Sequence, residues 1–435
     1  MNHLAEGPVK QQDWVSRVPF YYGWVILGVG TLGIVMTSPG QTFVVSMFIE
    51  HLIRDLELSR SAVSTLYMIG TLGNAVLLQL LGVGRIIDRR GPRIAAVVSA
   101  TLLAGACFYM GFVSSALMLV FGFMALRFFG QGSLNLVSST MINMWWVRRR
   151  GTLRGASGIV SSLMTGVFPG IAMVLIGAIG WRSAYAVLGG VLLVVMVPIA
   201  AFLYRRRPED HGMEPDGGAP KREPKRKVFD ASIDYTLKQA LRTPLFWVLS
   251  CGIASMSMLG TGLIFHMESI VTDQGLAAAV AAAVFVPIGM TQAILRLPAG
   301  FLVDHVSPKL VLTGALILQA VVLLLAPRLT STTSAMVYGG VFGAMQVGWG
   351  AAGAVMWAKY YGRAHLGSIS GAGMSIAIVG SALGPMAMGV ARDLMGTYST
   401  FCNLAALIPL GLAVAAVLVR PPLSDKARSE EAISA

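Results

Sequence analysis

Charge is what this 435-residue sequence has least of: Asp, Glu, Lys and Arg together make up 12% of it. A soluble domain carries about 25% charged residues, so this chain cannot cover a water-facing surface of its size. Disorder, coiled coil and collagen are excluded on composition as well. Acidic residues are scarcest, 20 against 33 Lys and Arg, and the net charge is +13. In a soluble protein that excess would point to nucleic acid. Here the basic residues sit between apolar runs, where they report membrane orientation, and no nucleic-acid partner is expected. Cysteine is rare too: Cys107, Cys251 and Cys402 lie far apart inside apolar runs. That excludes a small disulfide scaffold, and no C-x-x-C spacing offers a metal site. Also missing are the phosphate loop G-x-x-x-x-G-K, the zinc helix H-E-x-x-H and the nucleophile elbow G-x-S-x-G. An ATP-driven pump is disfavoured. A membrane enzyme would need clustered acids, histidines or a nucleophile that the deep spans do not contain. No enzyme activity, cofactor or metal is expected. Gly28-Val29-Gly30-Thr31-Leu32-Gly33 matches a dinucleotide fingerprint but lies inside an apolar run, not after a strand, so helix packing accounts for it.

What the sequence has is hydrophobic length: 55% of its residues are apolar. A spanning helix needs roughly 20 such residues. Uncharged runs cover 20–49, 61–84, 94–126, 128–147, 155–181 and 183–204, then 243–265, 274–295, 310–327, 329–358, 366–391 and 394–419. The third run must hold a helix and a tight turn near Val113–Ser115. The expectation is an all-α membrane protein of twelve transmembrane helices in two six-helix halves. The domains expected are a tail 1–19, a six-helix bundle 20–204, a basic linker 205–242, a second bundle 243–420 and a tail 421–435. The linker, rich in Arg, Lys, Pro and Gly, cannot bury a core, although 230–242 could close it with a short surface helix. The polar stretch Met1 to Arg17 lacks the apolar core of a signal peptide, so the first apolar run is read as a retained helix.

Lys and Arg set the orientation. With twelve spans, only Arg54, Arg60, Arg182, Arg328 and Arg392 fall on one side, and only Arg127 and Arg296 at membrane depth. All the others share the side of both termini, which is therefore read as cytoplasmic. One helix more or fewer would destroy this bias. The location expected is a bacterial inner membrane.

The two halves carry a repeat. Gly84-Arg85-Ile86-Ile87-Asp88-Arg89-Arg90-Gly91-Pro92-Arg93 matches Gly300-Phe301-Leu302-Val303-Asp304-His305-Val306-Ser307-Pro308-Lys309 in Gly, Asp, Pro and a basic residue at the same spacing. Each copy lies where the second helix of its half meets the cytoplasm. Parallel repeats of this kind are a feature of secondary transporters. Gly84 and Gly300 would let another helix approach closely. Asp88 and Asp304 would meet a neighbouring helix N-terminus. Arg89, Arg90 and Arg93 would face the anionic leaflet. A simple basic loop is the bland alternative, and the paired Gly-x-x-x-Asp spacing argues against it.

On these residues the chain resembles the major facilitator superfamily, from about Phe20 to Arg420. Arg127-Phe128-Phe129-Gly130-Gln131-Gly132 resembles its fourth-helix arginine motif, and Gly380 to Pro385 the small-residue pattern of its eleventh helix. Tyr21-Tyr22-Gly23-Trp24, Trp145-Trp146-Val147-Arg148-Arg149-Arg150, His266 to Gly275, Arg296-Leu297-Pro298-Ala299-Gly300 and Tyr360-Tyr361-Gly362-Arg363 together look like the monocarboxylate transporter and oxalate/formate antiporter group, its prokaryotic members especially. The resemblance implies that Arg296, in the eighth span, binds a substrate carboxylate. Some animal relatives place an acid one turn earlier, where this chain has Gln292, so that proton-relay pair is absent. The resembled oxalate transporter uses a lysine in the eleventh span as a second cation, and none is present here. A single carboxylate is therefore favoured over two.

Physical chemistry supports Arg296 independently. A cation at membrane depth is costly and normally faces the bundle interior or a water-filled cavity, and guanidinium grips carboxylate bidentately. The alternative is a snorkelling arginine paired with Asp304. Arg127 reads either as proton-coupling or as a structural donor to facing carbonyls. Asn135, Gln292 and Gln346 are candidate substrate contacts, or interhelical glue; Gln41 and Asn74 share that ambiguity. His266, near the outer end of the seventh span with Glu268 and Asp273 beyond, reads as a proton relay or a gate. The expectation is a secondary active transporter of small organic anions, in its preferred form a proton-coupled monocarboxylate symporter. An exchanger or exporter is the first alternative, and a membrane enzyme or sensor a remoter one. Its partners would be a small carboxylate, protons and the bilayer, with a monomer compatible.

Overall fold

The computed structural model describes residues 15, 18–218, 234–362 and 364–420. The C-terminal tail, nearly all of the N-terminal one, the Lys221–Lys227 run and Arg363 of the Tyr-Tyr-Gly-Arg motif lie outside them.

Among the described residues the regular structure is helical throughout. The twelve long helices are α1 (Gly23–Gly40), α2 (Arg60–Leu80), α3 (Val83–Gly111), α4 (Ala116–Trp145), α5 (Arg150–Ile179), α6 (Trp181–Leu203), α7 (Pro244–Phe265), α8 (Ala278–His305), α9 (Pro308–Arg328), α10 (Thr332–Tyr361), α11 (Leu366–Met395) and α12 (Tyr398–Leu418). Eleven are long and apolar enough to cross a bilayer. The other, α10, is as long and uncharged up to Lys359, but its glycines lower its mean hydropathy. Helix starts follow local chemistry. Ser59, Ser115 and Thr243 each accept a first-turn N–H, from Ala62, Met118 and Phe246, and Ser331 makes a reciprocal capping box with Ser334. Large apolar side chains face outward, among them Val194, 76% exposed, and Leu418, 74%. Only a lipid solvent makes such a surface favourable.

The run 20–49 is not one straight helix. Pro39 and Gly40 break it into a tight turn, and the chain continues through Thr42–Val45 and Ser46–Phe48 to Ile49–Asp55. The repeated motif shows why its second copy lost a glycine. Gly91 sits at φ +82° at a kink inside α3, directly before Pro92, in a region that favours glycine. Its counterpart Ser307 sits at φ −59°, ψ 128°, which any residue adopts.

Two aromatic motifs far apart in sequence meet at the end of the bundle that carries the repeat. The Tyr21 hydroxyl donates to the Trp145 carbonyl (2.7 Å), and the Trp146 indole donates to the Gly23 carbonyl (3.0 Å). Tyr21 packs edge-on against Trp146 at 5.1 Å, and Trp24 at 4.9 Å. The second half has its own version: Tyr360 bonds Ser307 (2.8 Å) and Tyr361 bonds Thr243 (2.7 Å).

Part of the polar stretch after α6 is built into this end. The Asp216 side chain, 7% exposed, accepts three backbone N–H bonds, from Val147 (3.2 Å), Arg148 (2.8 Å) and Arg149 (3.2 Å). Asp216→Ala would leave these donors of the α4–α5 turn without their acceptor. We expect a loss of about 1–3 kcal/mol, visible as a lower melting temperature in detergent. An unchanged melting curve would show that water replaces the carboxylate at no cost.

The halves meet along two helix pairs. A Cβ at Gly289 of α8 would lie 2.4 Å from the Ser162 carbonyl oxygen of α5, and one at Gly389 of α11 would lie 2.7 Å from the Ser64 hydroxyl of α2. The end opposite the repeat is joined by polar contacts. Asp393 accepts the Ser61 N–H across the halves (2.8 Å). Arg60 pairs with Glu50, and Arg392 grips Asp273 through two bonds, 2.8 and 3.1 Å. Asp55 accepts from the Trp181 indole (2.8 Å) and from Arg182 (2.5 Å). Those bonds, Trp181 first and then Arg182, hold its carboxyl below the usual carboxylate range. This contact is therefore at full strength above that range and is lost as pH falls through the lowered value.

Candidate functional site

A cavity of about 320 Å³ opens between the halves, lined by Ile34 of α1, Asn135, Ser139 and Ile142 of α4, Arg154, Ser157, Gly158 and Ser161 of α5, and Arg296 of α8. Helix periodicity explains the α5 contribution. Residues 154, 158 and 161 recur at i, i+4 and i+7 on one face, and Ser157 adjoins them. The glycine makes room for the arginine: a Cβ at Gly158 would lie 1.6 Å from Arg296 Nη1.

The lining is a donor set. Ser139 and Ser161 spend their protons on the Leu136 and Ser157 carbonyls. Ser157 accepts from Thr31 (2.9 Å) and keeps its own proton for a ligand. Guanidinium carries only donors and the Asn135 amide carries two. Neither Arg154 nor Arg296 has a hydrogen-bond or ion-pair partner among the described residues, and no acid lines the cavity. Such a site can bind an anion. No group of three or more His, Cys, Asp or Glu lies together among the described residues to hold a metal.

The structure separates the residues singled out from sequence. Arg296 and Asn135 share the cavity, and the Arg296 guanidinium turns toward α5, not toward Asp304. Gln292, one turn from Arg296, donates to Gln346 of α10 (2.7 Å); neither lines the cavity. Arg127 is 2% exposed inside the first half. It donates to Thr42 Oγ1 (3.1 Å) and the Gly40 carbonyl (3.5 Å) and lies 5.1 Å from the Tyr67 ring centroid. Around it α4 widens into i→i+5 turns over Arg127–Leu134, a feature frequent at functional sites.

His266, 1% exposed, ties several helices together beyond the end of α7. Its Nε2 donates to the Pro385 carbonyl (2.9 Å) and lies 3.5 Å from Ser64 Oγ of the other half, while Tyr398 Oη lies 3.2 Å from Nδ1. A nitrogen facing a carbonyl must carry the proton, so Nε2 is the protonated nitrogen at Pro385, while the Tyr398 hydroxyl donates to Ser269 Oγ (3.2 Å).

The repeated motif departs from its sequence-based explanation. A Cβ at Gly84 or Gly300 would meet nothing within 4 Å, so neither glycine serves a close helix approach in this conformation. The Asp88 and Asp304 carboxylates, both exposed, have no partner among the described residues. The expected contact with a helix N-terminus is absent; Arg206 bonds the Asp88 backbone carbonyl instead (2.6 Å). The repeat end of the halves is simply not packed at these positions. Arg89, Gly91 and Arg93 line a basic cleft of about 610 Å³ with Arg205 and Arg206.

Sequence reasoning missed Arg154, which it counted with the loop arginines. The available signal was its spacing of four from Gly158, but using it required knowing that α5 begins at Arg150.

The model of the Major Facilitator Superfamily matches this chain over residues 30–291 and 288–435. Among curated proteins, a probable sulfoacetate transporter of Cupriavidus necator is 30% identical over 138 residues, 31% of each chain. An oxalate:formate antiporter of Oxalobacter formigenes is 25% identical over 203 residues, 46% of this chain and 44% of that one. The matches thus span less than half the length of these relatives. Among solved structures, a bacterial homologue of the human lysosomal transporter Spinster, inward-facing and occupied, aligns with a TM-score of 0.64 at 16% identity, covering 91% of this chain and 96% of its own. Its inward-facing unoccupied form aligns at 0.60 and 18%, covering 91% of each chain; at these identities the likeness is one of fold. With its family model matched along nearly the whole sequence and its twelve helices folded in the same way, this multi-pass membrane chain belongs to the major facilitator superfamily.

Proposed function

We propose that this protein is a secondary active transporter of small organic anions, which bind at Arg296 and cross by alternating access between the two halves. One observation carries the reading: an unpaired guanidinium in a cavity between the halves that no acid lines. The relatives named for sulfoacetate and for oxalate and formate support the substrate class. The Lys and Arg bias puts both termini on the cytoplasmic side, and a bacterial inner membrane is the location that goes with this reading.

Proton-coupled symport of a monocarboxylate is the form read from sequence. In that form His266 would act as a gate, since it bonds Pro385 of α11 and lies 3.5 Å from Ser64 of the other half. Exchange is the second reading, and the lining favours it: neither carboxylate nor histidine lies there to carry a proton, and exchange needs none. Proteoliposomes decide. Uptake of a labelled anion into empty vesicles under an inward proton gradient, abolished by a protonophore, is the symport result. Uptake only into vesicles preloaded with unlabelled anion is the exchange result. Failure to move any short-chain organic anion in either format, with folded protein, overturns the proposal.

A further inference from the structure

We propose that Arg154 is a second cationic contact of the Arg296 cavity, and that the anion bound there carries two acid groups on a short carbon chain. This rests on the reading of the cavity as the transport site and revises the single carboxylate expected from sequence. That expectation followed from the lack of a lysine in the eleventh span, and the second cation is supplied by α5 instead.

Three observations converge. Arg154 and Gly158 are one turn apart on the same face of α5, about 6 Å along the axis. The Arg296 guanidinium rests on Gly158, where a Cβ would be 1.6 Å from Nη1. The two arginines line one cavity from opposite halves. Neither has a hydrogen-bond or ion-pair partner among the described residues, and no lining acid offsets them. Two cations lining one cavity with no acid among its walls repel each other. A monoanion satisfies one fork and leaves the other; a dianion satisfies both, since each guanidinium takes one planar or tetrahedral acid group bidentately. An arginine serving only the lipid headgroups would point away from the cavity, and Arg154 lines it.

The test is calorimetric binding to the purified full chain in nanodiscs. The probes are malonate, succinate and sulfoacetate against acetate and butyrate. We expect the wild type to prefer the two-acid probes. Arg154→Gln should lower their affinity about tenfold or more and leave the one-acid probes within about twofold. Arg154→Lys should restore part of the loss, because the charge returns without the fork. Arg154 is exposed and unpartnered, so a melting curve should confirm that the variants fold. The proposal is overturned if the wild type prefers one-acid probes, or if Arg154→Gln weakens both classes equally or neither. In those cases loss of all binding in Arg296→Gln leaves the transport-site reading standing. If the wild type binds none of the anions, both readings fall together.

Discussion

Arg296→Ala should abolish saturable anion transport, with affinity falling roughly a hundredfold or more. Removing one partner of a hydrogen-bonded charge pair costs about 2–5 kcal/mol, and a tenfold change in affinity is about 1.4 kcal/mol. The loss falls on the anion, not on the fold. Arg296 is exposed and has no partner among the described residues, so its removal should leave the melting temperature of the empty protein nearly unchanged. Surface substitutions of this kind stay within about 0.5 kcal/mol. Gly158→Ala is the companion test. Its Cβ would occupy the place of Arg296 Nη1, and a flexible side-chain end can move aside. That variant should fold normally and bind the anion more weakly than wild type, though less weakly than Arg296→Ala. Uptake at wild-type affinity in Arg296→Ala would remove this residue as the anion site.

Gly384→Ala should damage the fold itself. A Cβ there would lie 1.8 Å from the Met258 carbonyl oxygen and 2.7 Å from its carbon. Both atoms are backbone of α7, so neither can swing away as a side chain would. The α7–α11 contact must open or slide, and overpacking of this kind costs about 1–3 kcal/mol, occasionally more. Detergent melting should fall by many degrees, with loss of a monodisperse peak on gel filtration. The contrast is Gly300→Ala. Nothing lies within 4 Å of its Cβ position, and alanine is the better helix former by about 0.5–1 kcal/mol, so its melting temperature should hold or rise. If Gly300→Ala melts early as well, open space does not describe that position. If Gly384→Ala melts normally, the helix pair is looser than its backbone geometry indicates.

Much of the architecture is legible before any coordinates. The twelve spans and the paired Gly-x-x-x-Asp motif follow from local properties: length of apolar run and spacing of a few small and charged residues. Run length hides the bend inside the first run, although Pro39 and Gly40 stand where it falls. Asp216 reads from sequence as part of a linker without a core, since nothing in its neighbourhood signals that three N–H groups of another turn converge on it. The glycines of the motif illustrate the opposite error. Gly84 and Gly300 fit a close-packing explanation by type, whereas Gly380 and Gly384, noted only as small residues, are the ones pressed against backbone.

The cations show where sequence stops. Arg127, Arg154 and Arg296 differ little as residues, and their positions along the spans ranked the first and third above the second. Tertiary structure reordered them. Arg127 is closed inside the α1–α4 contact, where Thr42 and the Gly40 carbonyl take its protons; Arg154 and Arg296 share a cavity lined without any acid. Sequence by itself determined that the chain lives in a bilayer, how many times it crosses and how its halves repeat, because burying backbone in lipid imposes those features on each segment separately. Which polar side chains face one another was decided only by how each helix is rotated against its neighbours, a property of packed pairs that no single segment carries.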